Sequence, residues 1–186
     1  MKVYGRDDSP LDDEDESSAT GETFEKTDAS KSTVKVGIAD YAVTDSGDLL
    51  TTNGLGSCVG VAVRSKDSSV SGLAHVMLPS SEEVDDENEA KFADTAIQAM
   101  VDEMRRKGAS IGDMTAKIAG GSSMFDFSGD ESIGERNVAA VRRKLDSLGI
   151  PIESEDVGGD SGRSIEFDPE TGGLTIKNAN REVKEI

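Results

Sequence analysis

Cys58 and His75 are the only cysteine and the only histidine of a 186-residue chain, and they stand 17 positions apart. A thiol and an imidazole make the smallest nucleophile and base pair able to attack an amide or ester carbonyl, and neither has a rival of its own type here. Cys58 lies in Thr52-Asn-Gly-Leu-Gly-Ser-Cys-Val-Gly-Val-Ala-Val63, and His75 in Gly72-Leu-Ala-His-Val-Met-Leu-Pro79. An ordinary thiol, with a pKa near ~8.5, is mostly protonated at neutral pH and needs a neighbour to take its proton. A neutral imidazole can accept that proton and return it to departing ammonia or amine. Gly54 and Gly56 let the backbone approach closely, so that N–H groups of Gly56, Ser57 and Cys58 can be aimed at a developing oxyanion. Taken singly, Cys58 beside Val-Gly-Val-Ala-Val and His75 in its apolar run read more readily as packing and as a hydrogen-bonded core residue. A zinc site is not expected, because one Cys and one His lack a close-spaced ligand pair to complete a four-ligand shell.

For the pair to meet, the chain must fold back between them. Val59–Arg64 reads as a strand, Lys66-Asp-Ser-Ser69 as a turn, and Val70–Leu78 as a returning strand closed by Pro79, which carries His75 toward the start of the Cys58 strand. Upstream, Val34, Val36, Ile38 and Tyr41-Ala-Val43 alternate as one strand, followed by a turn at Asp45-Ser-Gly-Asp48 and a short strand at Leu49–Thr52. Downstream, after an acidic loop at Ser80–Glu87, Phe92, Ala96, Ile97, Met100, Val101 and Met104 recur at helical spacing, with Gly108 as a C-terminal cap. A strand at Ala116–Ala119 runs into Gly120-Gly-Ser-Ser-Met-Phe125, and a second helix from about Glu135 carries Val138, Val141, Leu145 and Leu148 before Gly149. Strands at Ile152–Val157, Arg163–Phe167 and Leu174–Lys177 complete the pattern, the last two joined by turn-forming Asp168-Pro-Glu-Thr-Gly-Gly173. Many short strands with two helices and no regular alternation indicate an α+β domain. Gly120-Gly-Ser-Ser lacks the phosphate-loop lysine, and Gly158-Gly-Asp-Ser-Gly162 does not match a dinucleotide fingerprint, so both read as turns that can line a cleft. Arg142-Arg-Lys144 reads as a solvated helix face.

Composition bounds what such a site can serve. There are 38 acidic and 20 basic residues, a net charge of −18, which argues against nucleic acid or an anionic membrane as partner. Residues 1–32 hold four basic and ten acidic residues and few apolar ones, and are expected to be a disordered acidic extension; the remaining −12 is spread over residues 33–186. A spread acidic excess suits a high-salt cytoplasm, where charges are screened over ~3 Å at 1 M salt. A single cysteine forms no internal disulfide, and there is no apolar run approaching the ~20 residues of a membrane span. A cytoplasmic location follows as the expectation, with a folded domain at residues 33–178 and a short tail at residues 179–186.

Several of these stretches together resemble the CheD family, the chemoreceptor glutamine deamidases of archaeal and bacterial chemotaxis. The resemblance is carried by Thr52-Asn-Gly-Leu-Gly-Ser-Cys58-Val and Gly72-Leu-Ala-His75-Val-Met-Leu-Pro79. Lys91-Phe-Ala-Asp-Thr-Ala-Ile97, Gly120-Gly-Ser-Ser-Met-Phe125, Ile133-Gly-Glu-Arg-Asn137 and Asp156-Val-Gly-Gly159 with Gly162-Arg163 add to it. It spans about Val34 to Lys177 and reverses the bland readings of Cys58 and His75. It implies a Cys58, His75, Thr52 triad, in which Thr52 orients the imidazole, and hydrolysis of glutamine side chains on chemoreceptor cytoplasmic domains without metal or organic cofactor. It also implies binding to a CheC-type phosphatase, and an α+β layered fold with a β-sandwich-like core of mixed and antiparallel sheet flanked by two principal helices. With the acidic composition it points to a halophilic archaeon. The acidic extension lies outside the family core, and Asn53 stands where an apolar residue is common. Two alternatives remain: an adaptor that binds CheC-type phosphatase and receptors with little catalysis, and a cysteine esterase or transglutaminase-like activity.

Overall fold

The computed structural model of the chain describes residues 31–84, 86–123 and 132–186. The expected extension at residues 1–32 falls, except for Lys31 and Ser32, outside the described residues.

Among these residues the chain forms β1 (Thr33–Lys35), β2 (Asp40–Thr44), β3 (Leu49–Leu55), β4 (Val59–Ser65), β5 (Ser71–Val76), α1 (Ala93–Arg106), β6 (Met114–Gly120), α2 (Ile133–Ser147), β7 (Ile152–Val157), β8 (Arg163–Phe167), β9 (Leu174–Asn178) and β10 (Val183–Glu185). The strands make two five-stranded sheets, one in the order β1-β3-β8-β9-β10 and the other β2-β5-β4-β6-β7. Both are mixed: β1 pairs parallel with β3 and β7 parallel with β6, while the other neighbours run antiparallel.

The sequence explains the layering. In the first sheet, buried Ile165, Phe167, Leu174 and Ile176 alternate with less buried Ser164, Glu166, Thr175 and Lys177, so one face is packed and the other meets solvent. In the second sheet, β4 and β5 are buried almost throughout, because both faces are covered. Val59, Val61, Val63, Ala74 and Val76 pack with the helices, whereas Ala62 and Leu73 pack with Leu50, Leu55 and Ile165 of the first sheet. The result is sheet on sheet on helix pair, the expected α+β layered sandwich with two flanking helices. Helix α1 seats Ala96, Ile97, Met100, Val101 and Met104 on the second sheet. Full burial of each large side chain contributes roughly 1.5–3 kcal/mol. Helix α2 starts with a capping box, in which Ser132 accepts from the Glu135 N–H and Glu135 accepts from the Ser132 N–H.

Two expectations change in detail. The single upstream strand over Val34–Val43 is two strands in different sheets, β1 beside β3 and β2 beside β5. The chain passes between the sheets at Gly37-Ile38-Ala39, where Ala39 takes φ 54° and Ile38 is 61% exposed. Apolar alternation continues through Ile38, but no neighbouring strand is there to receive it. The short segment 179–186, expected as a tail, carries β10, which pairs with β9, and Ile186 packs against the intersheet core.

Candidate active site

The site lies where the two sheets face each other. Thr52 is two residues beyond Leu50 on the inward face of β3, and His75 is two residues beyond Leu73 on the inward face of β5; both are fully buried. The β4–β5 register places Gly60 opposite His75 and Val59 opposite Val76. Cys58, two residues before Gly60 and half-buried, therefore stands diagonal to His75 on the same face, a placement roughly 7–8 Å apart at Cα and within reach of long side chains. Gly60, on the same face, is closely packed by the first sheet, since a Cβ there would lie 2.5 Å from Ile165 Cδ1 and 3.0 Å from Leu55 Cδ1.

Thr52 Oγ1 is 2.7 Å from His75 Nδ1 and 2.8 Å from the carbonyl oxygen of Val36. A hydroxyl has one proton, and a carbonyl can only accept, so Thr52 donates to Val36. Nδ1 must then carry its own proton and donate it to Thr52 Oγ1, which leaves Nε2 as the unprotonated nitrogen. Nε2 is buried and has no hydrogen-bond partner among the described residues. Thus Thr52 and His75 are in contact, while Cys58 shares their face without a thiol–imidazole hydrogen bond in the resting structure.

Burial sets both protonation states. It lowers the His75 pKa from 6.5 to about 4, because removal from water disfavours the charged imidazolium. It raises the Cys58 thiol, opposed only by the residue's own backbone N–H. At neutral pH the pair is therefore neutral thiol and neutral imidazole.

The loop before Cys58 is shaped by a β-bulge: Thr52 pairs with Ile165 but Leu55 with Arg163, and Gly54 takes φ 78°. The Gly56 N–H donates to the Gly54 carbonyl at 3.0 Å, whereas those of Ser57 and Cys58 take no part in this turn. Three successive carbonyls of the loop are held from behind. The Ser122 N–H donates to Gly56 at 2.8 Å, Asn137 Nδ2 to Ser57 at 2.9 Å, and the Gly121 N–H to Cys58 at 2.8 Å. Gly120, at φ 117°, permits this approach, since a Cβ there would lie 2.3 Å from the Cys58 carbonyl oxygen. The Gly120-Gly-Ser-Ser segment, read from sequence as a turn, is the backing of the loop that carries Cys58; Met124 and Phe125 fall outside the described residues. Gly158-Gly159 extends it, with the Gly158 N–H on Gly120 and the Ser123 N–H on Gly159.

Sequence reasoning missed the Val36 carbonyl and Asn137. A backbone acceptor leaves no signature, but Asn137 did leave one: it is a polar residue beside Val138 and Val141 on the buried face of α2. Among the described residues no cluster of three or more His, Cys, Asp or Glu is placed to hold a metal ion, and no helix is long and apolar enough to cross a membrane. A cavity of about 220 Å³ among Arg64, Lys66, Lys117 and Glu153 lies at the far end of β4 from Cys58 and is lined by neither cysteine nor histidine.

The CheD family model, described as CheD chemotactic sensory transduction, matches residues 77–178, a stretch that begins just after His75. A Haloarcula marismortui protein named probable chemoreceptor glutamine deamidase CheD is 53% identical over 148 residues, covering 79% of this chain and 86% of its own. The Geobacillus kaustophilus protein of the same name is 48% identical over 159 residues, covering 82% and 96%. The Halalkalibacterium halodurans chemoreceptor glutamine deamidase CheD is 46% identical over 158 residues, covering 82% and 98%. Among solved structures, the Neisseria meningitidis protein NMB0706, of family DUF152, superposes with a TM-score of 0.50 at 11% identity, over 70% of this chain and 65% of that one, a likeness of fold alone. Matches of this extent to proteins of one kind, on a chain whose lone cysteine and histidine share one intersheet face, settle its kinship: the chain belongs to the CheD family.

Proposed function

We propose that this chain hydrolyses the side-chain amide of chemoreceptor glutamines to glutamate and releases ammonia, with Cys58 as nucleophile, His75 as base and then acid, and Thr52 as the group that orients His75. The observation that carries this reading is the Val36–Thr52–His75 chain of hydrogen bonds, which leaves Nε2 unprotonated on the face that bears Cys58. The names of the relatives supply the substrate class.

The thiol proton passes to Nε2 as sulfur attacks the carboxamide carbon, so the neutral pair becomes an imidazolium and a tetrahedral adduct. The Ser57 and Cys58 N–H groups are the donors for its oxyanion, since Gly56 spends its own on Gly54. The imidazolium returns the proton to the departing nitrogen, the C–N bond breaks, and ammonia leaves a thioester on Cys58. Water, deprotonated by His75, then attacks the thioester; the C–S bond breaks, the thiol is reprotonated and glutamate is released. No step calls on a metal or an organic cofactor. Each turnover adds one negative charge to the receptor at neutral pH. A CheC-type phosphatase is the further partner that the family resemblance brings to this reading.

The test is incubation of the purified chain, at high potassium chloride, with the cytoplasmic domain of a chemoreceptor from the same cell, followed by peptide mass spectrometry with Cys58→Ala as control. Glutamine-to-glutamate conversion by the parent alone is expected. No conversion by folded, receptor-bound protein would refute the enzyme and leave the adaptor reading.

A further inference from the structure

Asn137 is fully buried on α2, and the mechanism above gives it no role. Its Nδ2 donates to two carbonyls, Ser57 and Met77, each at 2.9 Å. One amide group therefore ties the residue before the nucleophile to the strand end that carries the base. Among the described residues its Oδ1 is buried without a partner, a penalty that a residue serving only to pack would avoid. The helix reaches this position because Gly134, one turn earlier on the same face, lies against the Gly121–Ser122 backbone; a Cβ there would be 2.6 Å from the Gly121 carbonyl oxygen.

Peptide geometry gives the contact its consequence. The Ser57 carbonyl and the Cys58 N–H belong to one trans plane and point in opposite directions. Holding the carbonyl toward α2 turns the Cys58 N–H away from α2, and the bonds from Ser122 to Gly56 and from Gly121 to Cys58 fix the planes on either side. We infer that Asn137 is a positioning residue: it locks the Ser57–Cys58 peptide so that the Cys58 N–H faces the sulfur and the oxyanion, and it holds that peptide in register with the His75 strand. The oxyanion half of this inference rests on the deamidase reading; the sulfur half does not.

The experiment uses the full chain at high potassium chloride with Asn137→Ala and the isosteric Asn137→Asp, which replaces the donor by an acceptor. Three readouts are taken: folding by circular dichroism, kcat and KM for receptor conversion, and the pH dependence of Cys58 alkylation by iodoacetamide. Expected are folded variants with unchanged KM, kcat lower by on the order of 10²-fold, and an alkylation profile displaced to higher pH. A folded variant with parental kcat and a parental alkylation profile overturns the inference, and so does failure of both variants to fold, which would make Asn137 a packing residue. If the parent converts no glutamine while the alkylation profile still moves in the variants, the deamidase reading fails and the positioning role stands.

Discussion

His75 should resist protonation far below the ordinary range of histidine, and the resistance should register as a loss of stability on mild acidification. Its pKa is about 4 in the folded chain against 6.5 without burial. Because the folded value is the lower one, the unfolded chain takes up the proton first, and stability falls as pH drops from about 7 toward 4. At 1.36 kcal/mol for each pH unit of difference, the loss reaches about 2 kcal/mol by pH 5 and about 3 kcal/mol below pH 4. The window from pH 7 to pH 5 isolates it from most carboxylates. At Asp156, for example, burial acts to raise the pKa, but Lys184 and Arg163 outweigh it and hold the carboxyl below its ordinary value, so that its own contribution fades only at lower pH. The assay is urea unfolding at fixed high salt across this window for the parent and His75→Gln, which has no proton to gain. Alongside it, NMR titration of the imidazole Hε1 signal is unambiguous because the chain has one histidine. A midpoint near 6.5, or an equal decline in His75→Gln, would refute the reasoning. On the proposed mechanism a midpoint near 4 also carries a catalytic consequence: His75 stays unprotonated well below neutrality, so the acidic limb of kcat/KM should lie near that value.

Two further outcomes test the same site. Thr52→Val removes the acceptor of the Nδ1 proton and the donor to Val36 while keeping the shape; kcat/KM should fall by on the order of 10²–10⁴-fold, with Thr52→Ser restoring most of it, and parental turnover in the valine variant would contradict the tautomer argument. Alkylation of Cys58 should be slow at neutral pH and climb through and beyond the ordinary thiol range, because burial raises the thiol and the neighbouring imidazole is neutral; a fast, flat rate from about pH 6 upward would instead reveal a thiolate–imidazolium pair.

The acidic surface bears on how these measurements are made. Net charge of −18 on 186 residues is repulsive in dilute buffer, and several of the described ion pairs, such as Arg142–Glu155 and Lys66–Glu153, are exposed and contribute little individually. High salt is therefore the proper reference condition.

Much of the fold was legible because its signals are local. The spacing of Ala96, Ile97, Met100, Val101 and Met104 defines α1 from its own residues, and the expected bounds of β7 and β8 are the observed ones. The return of the His75 strand alongside the strand that follows Cys58 was legible because a short turn joins the two runs, and the register brings Gly60 opposite His75. The strand drawn through Val34–Val43 failed at Ile38 because a strand is defined by its neighbours: β1 finds β3 and β2 finds β5, and alternation does not say which sheet receives it. Asn137 stood in the sequence only as the end of the Ile133–Asn137 stretch of the resemblance, with no role, because its contacts are to carbonyls 80 and 60 positions away.

The sequence by itself determined the family resemblance, the helices, the layered α+β class and the residue types able to attack an amide. Only the tertiary structure decided the state of those residues. That Nε2 is the free nitrogen follows from a single hydroxyl proton offered to two neighbours, and this choice exists only when Thr52 of one sheet comes within 3 Å of both the Val36 carbonyl and His75 of the other sheet. Hydrogen-bond direction and desolvation are properties of that shared space, and no spacing along the chain encodes them.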